Sequence, residues 1–412
     1  MHLAMLSDWE THGGAAVAAS RLAEGLCEAG HRVTRIVHFA DNQRHAWKSV
    51  PMVLPSSVSH RLMRRSLPSP AWELFQRRLV QRMLNERLLA LRPDFINIHN
   101  LHSADWFPDL FRVCALHAPT VCTLHDMWSF TGRCAYNYEC RKFLTGCDAT
   151  CPTPQEYPAR LPQRIAGDWQ QRRHLLENEA RLWAVAPSQW LAQEARAGLW
   201  KNRLLEVIPY GLPLDVYRPV DRVLARQALG IDSTGPVILV VAQNLSERRK
   251  GGSFLIEALQ KLPIRPLSLL TMGIEPLPVP GEGIQVHSLG YVTHDRMKVL
   301  AYSAADLLVH PAPVDNLPNV VLEAIACGTP VVGFPIGGMP DMVRAGETGW
   351  LASALSSEAL ADALAQACGE LKSGRDLRDS CRVIAEREYN PALQALRYSN
   401  LFGSLPMNPS GG

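Results

Sequence analysis

Short runs of aliphatic and β-branched residues recur along this chain, separated by longer stretches with the spacing of amphipathic helices. Six runs come first, at 3–7, 32–39, 95–99, 120–124, 182–186 and 205–208, and five follow, at 237–242, 267–272, 284–289, 307–310 and 331–334. Strands that are apolar on both faces must be covered on both faces. Alternation with helices therefore predicts parallel sheets with helices on each side. Two sets of runs predict two doubly wound, Rossmann-like α/β domains. In such sheets ligands bind beyond the carboxyl ends of the strands, so two domains facing each other predict an interdomain cleft with its motifs at strand ends.

Length and composition fit that plan. At 412 residues the chain exceeds what one core usually serves, and 47% hydrophobic against 20% charged residues supplies two cores. A net charge of +3 with no domain-wide basic excess gives no sign of a nucleic-acid partner. No apolar run reaches the roughly 18 residues that span a bilayer. MHLAMLSDWE lacks a basic region followed by a cleavable apolar core, which predicts a cytoplasmic protein. Its 10 cysteines are then expected to be reduced.

The boundary between the domains is expected within YGLPLDVYRP, Tyr210 to Pro219, where prolines and a glycine interrupt both patterns. That divides the chain into a first domain 1–211, a second domain 212–389, and a segment 390–412 with a helix after Pro391 and a flexible tail from Gly403.

The densest motif is HPAPVDNLPNVVLEAIACGTPVVGFPIGGMPD, His310 to Asp341. Asn316 or Leu317 can cap a helix with Pro318 at its start, and Gly328 ends it. Asp315 then lies in the loop before the helix and Glu323 on its second turn. The first N–H groups of a helix lack partners and its dipole favours an anion, so a phosphate suits the space between them. A sugar beside Asp315, a diphosphate at the helix start and a ribose beside Glu323 make a nucleotide-sugar; two solvated carboxylates on an ordinary capped helix are the plainer alternative.

Other strand ends carry compatible groups. Gly13 and Gly14 precede a helix from about Ala15 to Glu28, as a simple turn or as a close approach for a ligand. Their spacing is not that of a dinucleotide fingerprint. Arg248, Arg249 and Lys250 precede a helix opened by Gly251, Gly252 and Ser253, so cations and helix N–H groups converge. His125 ends the strand TVCTLHD, as a satisfied core histidine or as a group at the reaction centre.

Taken together, the His310–Asp341 stretch, Lys250 followed by glycine, the Gly13–Gly14 loop and the Tyr210–Pro219 linker resemble glycosyltransferase family 4, a retaining group with the GT-B fold. The resemblance implies His125, Asp315 and Lys250 at the reaction centre. It implies a donor site from Gly13, Gly14, Arg248, Lys250, Gly290, Tyr291, Asp315, Leu317, Asn319, Val320 and Glu323, with Gly337, Gly338 and Asp341 closing the signature. Two positions depart from the family pattern: Asp315 stands where Glu is usual, and Asn244 or Leu245 where an arginine is usual, with Arg248 as the candidate replacement. The last helix is expected to cross back to the first domain. Retention of configuration and a leaving phosphate acting as base follow from the resemblance alone. No Asp-x-Asp triplet occurs, so catalysis is expected to need no metal. A catalytically silent partner subunit and a sugar-nucleotide epimerase are the alternatives.

The insertion GRCAYNYECRKFLTGCDATCP holds Cys134, Cys140, Cys147 and Cys151. Four thiols within 18 positions can surround a structural zinc, form two disulfides or stay free. With TLHDMWSFTG the insertion resembles exopolysaccharide glycosyltransferases of the colanic-acid type, which implies a glycan or polyprenyl-linked acceptor. Between Arg61 and Arg92 eight arginines face two acids, interleaved with Trp72, Leu74, Phe75, Leu79, Val80, Met83 and Leu84. That pattern is either a basic helix resting on an anionic membrane or a helix whose stripe packs on the sheet.

Overall fold

The structure is a computed structural model that describes residues 1–41, 43–52, 69–104, 106–274 and 281–406. The chain divides into two compact units, Met1–Tyr210 with the segment from Ala392 onward, and Gly211–Pro391.

In the first unit seven parallel strands lie in the order β3-β2-β1-β4-β5-β6-β7. They are β1 His2–Trp9, β2 Arg32–Phe39, β3 Lys48–Pro51, β4 Phe95–Ile98, β5 Thr120–Thr123, β6 Leu182–Ala186 and β7 Leu205–Val207. The sheet reverses its order between β1 and β4, where Leu3 pairs with Phe95 and Leu6 with Ile98. In the second unit six parallel strands run β10-β9-β8-β11-β12-β13: β8 Val237–Val241, β9 Leu267–Met272, β10 Ile284–Ser288, β11 Leu307–His310, β12 Val331–Gly333 and β13 Gly349–Leu351. Its reversal lies between β8 and β11, which pair Leu307 with Ile238 and Val309 with Val240. Both are doubly wound sheets, and a crevice forms at each reversal because successive helices leave on opposite faces.

The eleven apolar runs are all strands. Two edge strands, β3 and β13, are additional: β3 is Lys-Ser-Val-Pro, with no apolar run to mark it, and β13 is three residues opened by glycine. An edge strand needs to satisfy only one side and can carry proline.

Helices α1 Gly14–Glu28, α2 Ser69–Leu91, α3 Asp109–His117, α4 Pro162–Asn178 and α5 Gln189–Ala197 belong to the first unit. The second unit has α6 Arg222–Ala228, α7 Gly252–Lys261, α8 Asp295–Ala304, α9 Asn319–Ala326, α10 Met339–Met342, α11 Ser357–Lys372 and α12 Arg378–Glu388. Helix α1 buries Ala16, Ala19, Leu22, Ala23 and Leu26, a small-residue stripe that lets it lie close to the sheet. Helix α2 turns Trp72, Val80, Leu84 and Leu88 into the core. Its sheet-packing reading is therefore right for that stripe, while Leu74, Phe75 and Leu89 are exposed. The basic positions at 61–68 lie outside the described residues.

Helix α13, Pro391–Ser404, packs in the first unit, as expected. Its Ala395, Tyr398, Leu401 and Phe402 join Leu3, Met5, Leu22, Leu26, Val33 and Phe95 in one core cluster. The Tyr398 and Thr123 hydroxyls are 2.9 Å apart, and Phe402 stacks on Phe95 at 5.3 Å. The expected tail from Gly403 is corrected here: Gly403 and Ser404 are helical and Leu405 is buried, because an apolar side chain at that position completes the core. Residues 407–412 lie outside the described residues.

Candidate active site

Two turns meet at the reversal point of the second sheet. After β8 the chain forms a tight turn at Arg248–Lys250, then Gly251 at φ +70 caps α7. After β11 it runs through His310 and Pro311 to Asp315 and enters α9 from Pro318. A Cβ on Gly251 would lie 1.8 Å from the Pro311 carbonyl oxygen, so only glycine lets the two turns touch. Gly337, at φ +62, does the same against the Asp315 carbonyl, where a Cβ would lie 1.9 Å from the oxygen. The backbone is thus clamped on both sides of Asp315.

This contact brings four charged or titratable groups together. Asp315 Oδ2 lies 3.6 Å from Lys250 Nζ, 4.0 Å from Arg249 Nη1 and 3.6 Å from His310 Nε2. Asp315 Oδ1 accepts the Asn316 N–H at 2.9 Å. Burial alone would raise the pKa of Asp315, but Lys250, His310 and Arg249 outweigh it and hold the carboxylate well below its usual range. Burial lowers the pKa of the Lys250 ammonium, with Asp315 opposing it. One carboxylate among two permanent cations leaves positive charge for an anion, beside the N-termini of α7 and α9.

Glu323 is buried on α9, and its Oε2 accepts the Tyr302 hydroxyl at 3.0 Å. Burial and the neighbouring Glu323 push the Tyr302 phenol well above its ordinary pKa, so it stays a donor. Leu317 is buried, Asn319 and Val320 are half-buried at the helix start, and Gly290, at φ +64, is followed by Tyr291, 52% exposed. The N-cap is Pro318, not Asn316 or Leu317: Pro318 is extended, with ψ 123, and the helix begins one residue later at Asn319. Arg249 is the arginine that reaches Asp315, while Arg248 is exposed on the same turn. His310 and Tyr302 were not singled out from the sequence. A histidine ending a buried strand one loop before Asp315 was the available sign for His310; nothing marked Tyr302.

In the first unit, Gly13 at φ +87 caps α1, and a Cβ placed there would meet nothing within 4 Å, so its backbone conformation rather than crowding favours glycine. His125 follows β5. Its Nδ1 lies 2.7 Å from the Tyr210 hydroxyl and its Nε2 2.8 Å from His99 Nδ1. Burial pushes His125 down to about 4, with Asp126 opposing and His102 and Arg35 adding to the fall. It is a neutral ring with both nitrogens engaged. Asp126 is bonded to a different histidine, His102, at 2.9 Å.

All ten cysteines are free thiols, which sets aside the disulfide reading of the insertion. Burial pushes Cys134 up to about 12, against Arg133, and Cys151, Cys147 and Cys140 add to the rise. The Gly132 N–H donates to Cys147 Sγ at 3.2 Å. Among the described residues the group whose ligand atoms lie within 4.8 Å of one another is Glu10, Asp41 and His45, not the four thiols. Glu10 Oε1 already accepts from Trp47 at 3.0 Å and from the Ser49 hydroxyl, and Oε2 from the Asp41 N–H at 3.1 Å. Among the described residues no helix is long and apolar enough to cross a membrane.

Comparison with known proteins matches both units. The profile described as Glycosyltransferase Family 4 matches residues 12–216, and that described as Glycosyl transferases group 1 matches 235–370. The chain is 31% identical over 253 residues to WcaC of Escherichia coli (strain K12), whose provisional name places it in colanic acid biosynthesis; the match covers 58% of this chain and 59% of that one. It is 33% identical over 175 residues to D-inositol 3-phosphate glycosyltransferase of Mycobacterium tuberculosis (strain CDC 1551 / Oshkosh), covering 39% and 35%. The chain thus matches 59% or less of the length of these relatives. Among solved structures, sucrose-phosphate synthase from Thermosynechococcus elongatus superposes with a TM-score of 0.73 at 19% identity, covering 98% of both chains. HepE of Anabaena in complex with UDP-glucose gives 0.68 at 18%, covering 98% of this chain and 100% of that one. WaaG, a glycosyltransferase involved in lipopolysaccharide biosynthesis, gives 0.66 at 18% with the same coverage. With a profile match in each half and two Rossmann-like units of the GT-B fold, the chain belongs to the family 4, group 1 glycosyltransferases.

Proposed function

We propose that this chain transfers a sugar from a nucleotide-diphosphate sugar to a hydroxyl of a glycan or polyprenyl-linked glycan in surface polysaccharide assembly, with retention of configuration. The observation that carries this reading is the clamped cluster of Lys250, Arg249, His310 and Asp315 at the reversal point of the second sheet. Departure of a nucleoside diphosphate leaves negative charge while the sugar carbon becomes positive. In this reading Lys250, Arg249 and the N–H groups opening α7 and α9 receive the leaving charge, and preorganised donors there lower the barrier. In this reading, too, Asp315 accepts from the sugar and Glu323, which already accepts the Tyr302 hydroxyl, accepts from the ribose. The lack of an Asp-x-Asp triplet supports a mechanism in which these side chains meet the diphosphate charge.

The colanic-acid relative supports a surface glycan as acceptor, and HepE, solved with UDP-glucose, supports a uridine nucleotide as the first probe. A cytoplasmic enzyme touching an anionic membrane is supported by the outer face of α2, where exposed Leu74, Phe75 and Leu89 share the surface with Arg78 and Arg82. The test is a melting-temperature screen of the purified chain against nucleotide-sugars, followed by turnover of those that stabilise it. Stabilisation and turnover by at least one donor support the reading. Binding without turnover favours a silent partner subunit, and turnover to an epimeric nucleotide-sugar favours an epimerase.

A further inference from the structure

At the carboxyl ends of β4 and β5 a line of hydrogen bonds runs from a buried carboxylate to the surface. Asp126 Oδ1 accepts the Trp128 N–H at 2.8 Å, and Oδ2 lies 2.9 Å from His102 Nε2. The His102 side chain is only 5% exposed, and its Nδ1 lies 2.7 Å from the Tyr157 hydroxyl. That hydroxyl is 2.5 Å from Ser103 Oγ, and Tyr157 is 61% exposed. Ser103 is itself held by its N–H to Asp8 Oδ2 at 3.2 Å. The Trp128 ring flanks His102 at 5.6 Å and carries the Arg172 guanidinium at 4.5 Å.

The protonation of His102 sets the direction of the line: burial lowers its pKa but Asp126 outweighs burial and raises it, and the ring is neutral above that value. Nε2 of His102 donates to the Asp126 carboxylate, and while the ring is neutral its Nδ1 is left to accept. Tyr157 then donates inward and accepts from the Ser103 hydroxyl, which leaves the Ser103 oxygen to accept from an incoming hydroxyl. The other histidine line differs: His125 ends on Tyr210, which is 6% exposed. A buried Asp–His pair aimed at a surface phenol is a costly way to stabilise a loop and a sound way to fix one hydroxyl's orientation.

We propose that Tyr157 and Ser103 form a recognition point for a sugar hydroxyl, with His102 and Asp126 positioning Tyr157. Calling that sugar the acceptor rests on the transferase reading above; binding of a sugar here does not. The test uses saturation-transfer NMR with the methyl glycosides of glucose, galactose, mannose and fucose as probes, and UDP-glucose as a separate probe. The wild-type chain is expected to bind at least one glycoside. Tyr157→Phe combined with Ser103→Ala should weaken that binding fivefold or more with UDP-glucose signals and melting temperature unchanged, and His102→Gln should weaken it severalfold with UDP-glucose signals unchanged and a lower melting temperature. Wild-type chain that binds no glycoside, or a double variant that binds as wild type does, overturns the site. Glycoside binding untouched by His102→Gln overturns the positioning role. Loss of UDP-glucose binding alone in the wild type would count against the donor reading and leave this site standing.

Discussion

Replacing Lys250 with Met removes the ammonium 3.6 Å from Asp315 and keeps most of the stem. At that separation, with an effective dielectric near 20, the attraction is about 5 kcal/mol, from which the cost of burying the ammonium must be subtracted. Asp315 keeps Arg249 at 4.0 Å, His310 at 3.6 Å and the Asn316 N–H at 2.9 Å. The expected loss in the second unit is therefore about 2 kcal/mol, below the 3–5 kcal/mol of a pair stripped bare. Adding Asp315→Asn removes the carboxylate that has lost one of its partners and should return about half of it. Turnover should respond differently. Lys250→Met is expected to lose about a hundredfold, on the scale of a missing transition-state donor, and Asp315→Asn should deepen that loss. Urea melts, resolved for two units that need not unfold together, and donor kinetics give both numbers. If Lys250→Met melts like wild type, the pair contributes nothing. If the double variant regains turnover along with stability, Lys250 is only Asp315's structural partner.

Glu323→Gln and Asp315→Asn should differ in kind: the first chiefly raises the donor KM, the second chiefly lowers kcat, and identical KM effects with kcat intact would remove Asp315 from the chemistry. His125 sits near 4 when folded against 6.5 unfolded, so the unfolded chain binds more protons between those values. Stability is then full above about pH 6.5 and falls by up to about 3 kcal/mol as pH drops towards 4, and His125→Gln should flatten that slope in urea midpoints. Gly251→Ala, which sets a methyl against the Pro311 carbonyl, should cost more than the roughly 1–2 kcal/mol of left-handed backbone alone and weaken UDP-glucose binding; a melting temperature within a degree of wild type would contradict the clamp. Metal analysis decides the thiol loop. Cys140, Cys147 and Cys151 all act on Cys134, so if the four thiols hold a structural zinc, protein purified under reducing conditions should carry about one zinc per chain, and none would overturn that reading.

Much of this architecture was legible because buried parallel strands must be apolar on both faces, as Val237–Val241 and Leu307–His310 are. Strands β3 and β13 escaped because an edge strand can be short and carry Pro51 or Gly349. At the site, Asp315, Glu323 and Lys250 stand out as charges beside glycine and proline. Their partners do not: Tyr302 lies 21 residues from Glu323 on another helix, and His102 is 24 from Asp126. Such pairings arise from how β4 and β5, or α8 and α9, lie side by side, which local spacing does not encode. The exchange of Arg248 for Arg249 has the same origin, since a one-residue shift on a tight turn changes which side chain faces inward.

Helix α13 has a consequence for synthesis. Tyr398, Leu401, Phe402 and Leu405 complete the core of a unit whose other residues end at Tyr210. On the ribosome those first residues emerge with the seat for Phe402 beside Phe95 still open. At roughly 5–20 residues per second, that seat waits some ten to forty seconds for its occupant. During this interval an apolar groove faces water, a natural station for a chaperone. The second unit, translated in between, can close its own core first, so the half begun earlier is the half finished last.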